Sequence, residues 1–303
     1  MSSVDIHNLT DKQKTKAIAD LRAALGPGNE KHDDRELLRF LVARSLDIPA
    51  TTQMFQNYLK WRQESPIANP PLPTVDGNPL QTCVRGFQTV PDGDWDINHP
   101  LTPEKFKKFY PNMGGGCFHK FAKDGMPVFI ERTGLHDVKG LAVNCSEETM
   151  IDWHVRNQEF IFEILMKEAS QRSGKVIEKH YVIFDCTGLG FHQFSMTGIQ
   201  LLRAISTHDS LYYPERLQKL FIVNTPGLFA RAWGIIKPWL DKGTLEKIVI
   251  LGSSREDVTK SLLEYVDKDS LPEFLGGSCT CSHMPGGCVP SPYLEEKAKA
   301  KKK

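Results

Sequence analysis

The chain has 303 residues, of which 40% are hydrophobic and 25% are charged, and its formal net charge at pH 7 is +1. These values exclude a disordered, collagen-like or coiled-coil protein, and the balance of 38 basic against 37 acidic residues argues against a nucleic-acid binder. The sequence contains no apolar run of about 18 residues that could span a membrane. Its first residues lack the apolar segment of a signal peptide, so the expected location is cytoplasmic.

The first 65 residues predict a small all-helical domain. Thr10 and Asp11 can cap a first helix, Asp33 begins a second, and Pro49 fits the first turn of a third. Each segment carries apolar side chains at helical spacing. Three short amphipathic helices cannot bury these side chains alone, so we expect them to pack together.

Residues 66–104 are rich in Pro, Gly, Asp and Asn, which predicts a linker or a long ordered loop. From 105 to 280, predicted strands alternate with predicted helices. Continuous apolar strands separated by helices predict an α/β fold with a mostly parallel, covered sheet. Residues 281–303 form a cysteine-containing, Lys-rich tail, which is either solvated or attracted to anionic lipid. The strands are expected within 125–132, 181–185, 220–224 and 248–251, and the main helices at about 146–172 and 195–206.

The seven cysteines do not suggest a disulfide framework, because their number is odd and the chain is long. Near the end, Cys279, Cys281 and Cys288 surround His283. Three cysteines and a histidine can bind zinc, but this spacing matches no common zinc finger. The sequence therefore predicts free surface thiols here and no metal site. The other four cysteines are dispersed and expected to be single, namely Cys83, Cys117, Cys145 and Cys186.

Glycine-rich segments offer little support for an enzyme. Gly188 and Gly190 follow an apolar strand, as in half of a dinucleotide fingerprint, but Gln193 stands where the third glycine would be. The sequence contains no phosphate-binding G-x-x-x-x-G-K-[ST] loop, no G-x-S-x-G elbow and no H-E-x-x-H motif. A tight turn explains the two glycines better, although a nucleotide-dependent enzyme stays open as an alternative.

The most informative stretch runs from 212 to 252. Its middle, 226–240, is a helical segment that is apolar on nearly all sides, so it is either wholly buried or in contact with something apolar outside its own core. Arg216 and Lys247 flank it and suit a phosphate, while Glu215 and Thr244 suit sugar or inositol hydroxyls. This pattern fits an amphiphile with an anionic, polyhydroxy head. It fits equally well a set of surface ion pairs beside a core helix.

Three motifs carry a family resemblance. They are Y-Y-P-E-R-L-x-K-L-F-I-V-N-T-P from Tyr212, W-x-x-I-K-P-W-L-D from Trp233, and T-L-E-K-I from Thr244. Together they resemble the CRAL-TRIO lipid-binding family, and more closely its yeast-type phosphatidylinositol/phosphatidylcholine transfer proteins. The segments D-R-E-L-L-R-F-L-V-A-R-S-L-D at 34–47, K-D-G-M-P-V-F at 123–129 and L-P-E-F-L-G-G at 271–277 support it.

The resemblance implies a lipid pocket that is floored by the parallel sheet and closed by a mobile gate helix at about 226–240. The apolar residues expected on this gate are Phe229, Trp233, Ile236 and Trp239. Such a protein would extract, shield and exchange phospholipids between membranes, supporting phosphoinositide signalling and Golgi secretory traffic. Carriage of another apolar ligand by the same fold (an isoprenoid, a sterol or haem) is the alternative within the family.

Further expectations follow from the resemblance. The chain would be a monomer without catalytic activity or a cofactor, and its ligand would be a bound phospholipid such as phosphatidylinositol. It would visit Golgi or endosomal membranes transiently and cooperate functionally with a phosphoinositide kinase.

The resemblance also assigns two sets of binding residues. In this sequence the inositol-lipid headgroup residues match Arg44, Glu215, Arg216, Thr244 and Lys247, although Ser45 replaces the Lys that follows the first Arg in the family. The second-lipid positions fall on Phe118, Phe129, Gln158, His180 and Val182. Hydroxyl groups that would hold a choline lipid are missing there, which predicts phosphatidylinositol binding with poor phosphatidylcholine transfer and a different or more apolar second lipid.

Overall fold

The computed structural model describes residues 9–73, 77–190, 193 and 196–301, which fall into two compact units. The first unit contains the chain up to Asn69 together with Thr207–Arg216, and the second contains Pro70–Ser206 and everything from Leu217 onward. None of the described helices is long and apolar enough to cross a membrane. The first eight residues, which bear on the expectation about a signal peptide, and the last two lysines of the tail lie outside the described residues.

The first unit is built on three helices, as predicted. They are α1 (Asp11–Leu25), α2 (Asp34–Ala43) and α3 (Ile48–Glu64). Thr10, Asp33 and Asp47 cap them by accepting hydrogen bonds from backbone N–H groups of the first turn. The apolar faces meet in one core, in which Leu21, Leu37, Leu41 and Phe55 are completely buried. Each such side chain stabilises the unit by about 1.5–3 kcal/mol relative to an exposed position.

The second unit contains a six-stranded sheet. Its strands are β1 (Cys83–Arg85), β2 (Gly116–Phe121), β3 (Pro127–Glu131), β4 (His180–Asp185), β5 (Leu217–Thr225) and β6 (Ile248–Gly252). The strands neighbour one another in sequence order; β2 and β3 are antiparallel and every other pair is parallel. The predicted α/β class with a mostly parallel sheet is confirmed.

The segment 66–104, expected to be a linker or ordered loop, supplies the edge strand β1. Arg85 in this strand is fully buried, and its guanidinium donates hydrogen bonds to the carbonyl groups of Gly93 and Gly287 and to the carboxylate of Asp94. These bonds attach both the loop after β1 and the C-terminal tail to the sheet.

Nine further α-helices follow α3 in the described residues. They are α4 (Glu104–Phe109), α5 (Val138–Asn144), α6 (Glu147–Phe160), α7 (Met166–Ser173), α8 (Met196–Tyr212), α9 (Phe229–Ile236), α10 (Lys242–Glu246), α11 (Arg255–Leu263) and α12 (Pro292–Ala300). The last part of α8, from Thr207 onward, belongs to the first unit. The long helix predicted at 146–172 begins at the Ser146 cap and ends before Gly174. A π-helical turn at Ile161–Leu165, which the sequence pattern did not predict, divides it into α6 and α7.

The two faces of the sheet have different coverings. Tyr181 and Ile183 of β4, with Phe221 and Val223 of β5, point into a core completed by α11 and by the chain after Leu271. The alternate residues point to the opposite face, which is described below. On the core side, Cys83 and Cys117 lie opposite each other in β1 and β2 and form a disulfide, so the expectation that these two cysteines are single is wrong.

Candidate functional site

Aromatic and aliphatic side chains line the face of the sheet that is opposite the main core. Phe118, Phe129 and Val182 lie directly across from one another in β2, β3 and β4 and therefore share a face. The ring centroids of Phe118 and Phe129 are 4.9 Å apart, and that of Phe160 in α6 is 5.8 Å from Phe118. A side chain in place of Gly116 would collide with the Phe129 ring, since an added Cβ would lie 2.8 Å from its Cζ.

His180 belongs to the same face, because it lies two residues before Val182 in β4. Its side chain is buried, and its ring centroid lies 6.2 Å from that of Phe162. Tyr181 points the other way into the main core, as the strand alternation predicts. Gln158 of α6 is half-buried, and its side-chain amide lies 3.2 Å from Nε2 of His154. The structure thus brings four of the five predicted second-lipid residues to one sheet face and places the fifth on α6.

Further along the same face, α9 packs against apolar side chains of β4, β5 and β6. Phe229 is buried and Trp233 half-buried against Ile222 of β5, with their rings stacked at a centroid distance of 6.4 Å. The neighbouring sheet side chains are Phe184, Leu220 and Ile248, and all three remain only partly buried beneath the helix. The chain itself therefore leaves part of this apolar surface uncovered.

The opposite side of α9 faces solvent. Ile235 is 49% exposed, and a turn of 3₁₀ helix (Lys237–Trp239) extends the segment. Ile236 and Trp239 are half-buried, with the Arg203 guanidinium 5.6 Å from the Trp239 ring. Of the two alternatives that the sequence left open, a wholly buried helix is excluded, because this helix presents apolar side chains on both sides.

Two predicted headgroup residues lie at α10, between α9 and β6. The Asp241 carboxylate caps α10 by accepting hydrogen bonds from the Thr244 N–H group, at 2.9 Å, and from its hydroxyl, at 2.7 Å. Burial opposes ionisation of Asp241, but these bonds and the charge of Lys247 outweigh it and hold the pKa of the carboxyl below its usual value. The Thr244 oxygen keeps lone pairs with which it can accept a further hydrogen bond. Lys247 is anchored through its backbone, whose carbonyl accepts from the Leu220 N–H group at 3.0 Å.

The other three predicted headgroup residues belong to the first unit. Arg44 ends α2, where its guanidinium donates to the Ala43 carbonyl at 3.0 Å. Glu215 has a φ of 59°, a left-handed conformation that non-glycine residues seldom adopt, and Arg216 follows it directly. Their assignment to a headgroup stays a prediction.

Gly188 makes the tight turn that the sequence predicts. Its φ is 91°, and an added Cβ would lie 3.2 Å from the Gly134 carbonyl oxygen, so glycine suits this position on both counts. The turn is stabilised by the Asp185 carboxylate, which accepts from the Thr187 N–H group at 3.0 Å.

The cysteine cluster near the C-terminus differs from its prediction. Cys279, Cys281 and Cys288 are buried rather than at the surface, because the chain after Leu271 packs on the main core. His283, the histidine between them in sequence, instead lies 2.7 Å from a carboxylate oxygen of Asp92. The imidazole beside the sulfurs is that of His119 in β2, which sequence analysis missed because it stands 160 residues before Cys279.

These features define a mixed α/β domain with one face of its sheet packed into a core and an apolar opposite face partly covered by a short helix. The chain belongs to the CRAL/TRIO domain family, whose family model matches residues 112–277. The crystal structure of Sfh5 superposes with a TM-score of 0.56, covering 84% of each chain at 15% sequence identity, which supports the fold alone.

Relatives extend the similarity over most of the chain. The Sec14 cytosolic factor of Schizosaccharomyces pombe is 32% identical over 270 residues, which are 88% of this chain and 82% of the relative. The phosphatidylinositol/phosphatidylcholine transfer protein SFH12 of Arabidopsis thaliana is 32% identical over 295 residues, or 96% of this chain. The chain spans only 48% of the length of that plant relative.

Proposed function

We propose that this protein is a phosphatidylinositol transfer protein, which extracts a phospholipid from one membrane, shields its acyl chains and releases it at another. The observation that carries the proposal is the incompletely covered apolar sheet face beneath α9, formed by Phe184, Leu220 and Ile248. Acyl chains laid on this surface would regain about 0.8 kcal/mol per buried CH₂ group, offsetting the loss of bilayer contacts. The names of the relatives support phospholipid as the ligand class.

The two sides of α9 support its role as the gate. Phe229 and Trp233 contact the sheet, so displacement of the helix would expose the apolar surface beneath them. Ile235 on the solvent side offers an apolar contact to a bilayer surface. A helix that closes over a ligand commonly sets the rate of its exchange.

Lys247 and Thr244 are proposed to hold the phosphorylated inositol head. The Lys247 ammonium suits a phosphate, and the Thr244 oxygen, whose hydrogen is already donated to Asp241, suits an inositol hydroxyl as acceptor. The family resemblance assigns Arg44, Glu215 and Arg216 to the same headgroup.

The wider role is proposed along with this activity. The protein would act as a monomer without covalent chemistry or a cofactor, with the bound phospholipid as its ligand. It would work in the cytoplasm, visit Golgi or endosomal membranes, and supply phosphatidylinositol for a phosphoinositide kinase.

Mass spectrometry of lipids extracted from the purified full chain tests the proposal, together with transfer of labelled phosphatidylinositol between vesicles. We expect co-purifying phosphatidylinositol and saturable transfer. A preparation that holds no phospholipid and transfers none would refute the proposal. Visible haem absorbance, a sterol or isoprenoid in the extract, or tightly retained nucleotide would identify the alternative ligand directly.

A further inference from the structure

Four buried side chains converge on the core side of the sheet, away from the proposed lipid surface. They are His119 of β2 with Cys279, Cys281 and Cys288 of the chain that follows α11, and their relative exposures are 1%, 9%, 6% and 5%. Their four ligand atoms, one imidazole nitrogen and three sulfurs, all lie within 4.8 Å of one another.

Three separations within this cluster, those among His119, Cys279 and Cys281, match the edges of a tetrahedral metal site. Nε2 of His119 lies 3.7 Å from the Cys279 sulfur and 3.4 Å from the Cys281 sulfur, and these two sulfurs are 3.6 Å apart. Zinc bonds of about 2.3 Å to sulfur and 2.0–2.1 Å to nitrogen, arranged tetrahedrally, give edges of about 3.5–3.8 Å. A metal ion fits among the four groups with small adjustments.

The local backbone is shaped to bring the sulfurs together. Cys281 has a φ of 44°, a left-handed conformation that turns the chain back on itself after Cys279. Gly286 and Gly287 also have positive φ values, and an added Cβ on Gly286 would lie 2.5 Å from Cβ of Pro290. These two glycines allow the tight turn that returns Cys288 to the cluster.

We propose that His119, Cys279, Cys281 and Cys288 bind a structural zinc ion. Three thiolates with one imidazole are a typical structural zinc set, and soft sulfur ligands disfavour magnesium, calcium and manganese. All four positions of the tetrahedron are supplied by the protein and all four residues are buried, so no position is open for a substrate. The site is therefore structural and not catalytic.

A positive side chain follows the histidine ligand in β2. Zn²⁺ with three thiolates and a neutral imidazole carries one net negative charge, and the residue after His119 is Lys120, whose ammonium is positively charged. The same ammonium donates to the Asp269 carbonyl at 2.9 Å, which holds it in place. The charge of this lysine is opposite in sign to the net charge of the proposed metal complex.

The ion would tie the C-terminal segment to the sheet. His119 and Cys279 are 160 residues apart, so the metal closes a long loop between β2 and the chain after Leu271. Closing such a loop restricts the unfolded chain, and metal binding then adds to the free energy of folding. The zinc proposal does not depend on the proposed lipid function.

Inductively coupled plasma mass spectrometry of the full chain tests the proposal by measuring its metal content. The protein is purified in metal-free buffers and without an affinity tag. We expect one zinc ion per chain, released when a mercurial reagent titrates the thiols and detected with a colorimetric zinc indicator. The double variant Cys281→Ser, Cys288→Ser should lose the zinc. The matched control Cys145→Ser, which removes a buried free thiol elsewhere in the same unit, should retain it.

A second measurement does not require the variants to fold. After zinc is removed from the wild-type protein by a chelator, added Co²⁺ should give thiolate-to-cobalt charge transfer and intense visible bands of tetrahedral cobalt. A wild-type chain without zinc and without these bands would overturn the proposal. Zinc that persists in a folded double variant, or copper or iron in stoichiometric amount in its place, would also overturn it.

Discussion

At the scale of single residues, Lys247 carries the headgroup proposal most directly. Lys247→Ala removes one charge-assisted contact to phosphate, worth about 1.5–3 kcal/mol, so phosphatidylinositol affinity should fall roughly ten- to a hundred-fold. The fold should survive, because the backbone carbonyl that bonds to Leu220 is unchanged. Titration of vesicle-borne phosphatidylinositol transfer measures the effect.

Lys242→Ala is the matched control for this change. Lys242 begins α10, the short helix that Lys247 follows, and its side chain is 92% exposed and forms a loose ion pair of 3.8 Å with Glu246. Its loss should leave transfer within a factor of about two, since exposed pairs contribute little. Equal transfer by the Lys247→Ala variant and the control would remove Lys247 from the headgroup site.

The family resemblance predicts that Arg216→Ala also weakens transfer.

The second-lipid residues lead to a prediction about selectivity. Phe118, Phe129 and Val182 share one sheet face and carry no hydroxyl group, so they cannot donate hydrogen bonds to a choline-lipid phosphate. Their rings can still attract a quaternary ammonium by about 0.5–2 kcal/mol, which leaves weak binding. We expect phosphatidylcholine transfer to be much slower than phosphatidylinositol transfer.

Paired assays measure the rate of phosphatidylcholine transfer relative to that of phosphatidylinositol transfer. They use one protein preparation, with labelled inositol and choline lipids in otherwise identical vesicles. Comparable rates for both lipids would mean that the five second-lipid positions do not determine which second lipid binds. These positions are Phe118, Phe129, Gln158, His180 and Val182. Preferred uptake of a sterol or another apolar lipid would agree with the apolar character of the surface.

At the scale of secondary-structure elements, α9 provides the sharpest test of gating. Trp233 is half-buried against the sheet. Trp233→Asp would place a charge on the apolar face of the sheet, which destabilises the position of α9 that covers this face. Exchange of phosphatidylinositol between vesicles should slow markedly. Val143→Asp, at a position of α5 that is 83% exposed, introduces the same charge without touching this surface and serves as the control.

Circular dichroism and the thermal unfolding midpoint establish whether both variants are folded. If the folded Trp233→Asp variant exchanges lipid as fast as the Val143→Asp control, α9 is an ordinary covering helix and the gate proposal fails.

Local sequence signals predicted where several helices begin. Ser146 begins α6 and Asp33 begins α2, because a side-chain oxygen that caps a helix acts within its first turn. The π-helical turn at Ile161–Leu165 has no such local signal, so the pattern predicted one continuous helix. β1 was missed for a related reason, because a three-residue strand gains its stability from pairing with β2 and not from its own composition.

At the scale of the whole molecule, removal of the proposed zinc should loosen one region selectively. A cross-link that closes a loop of 160 residues is worth about 5 kcal/mol in the chain-entropy description used for disulfides. Chelation should therefore lower the unfolding midpoint of the second unit by on the order of 10 °C. Differential scanning calorimetry with and without chelator measures the shift.

Amide hydrogen exchange can show which region of the chain loses stability when the zinc is removed. Amides of β2 and of residues 268–291 should exchange faster without metal, while those of α1 and α3 in the first unit should keep their protection. Uniform acceleration throughout the chain, or no change near Cys279, would contradict a structural metal at this place.

The sequence by itself determined the class of the fold, the three N-terminal helices, the apolar character of 226–240 and the family. Each of these depends on contiguous residues, through the spacing of apolar residues, a helix-capping residue or a sequence motif. Only the tertiary structure decided that α9 rests on the sheet with one side and faces solvent with the other. Only the tertiary structure joined His119 to Cys279, Cys281 and Cys288, because strand pairing and core packing bring together residues whose separation in sequence carries no local signal.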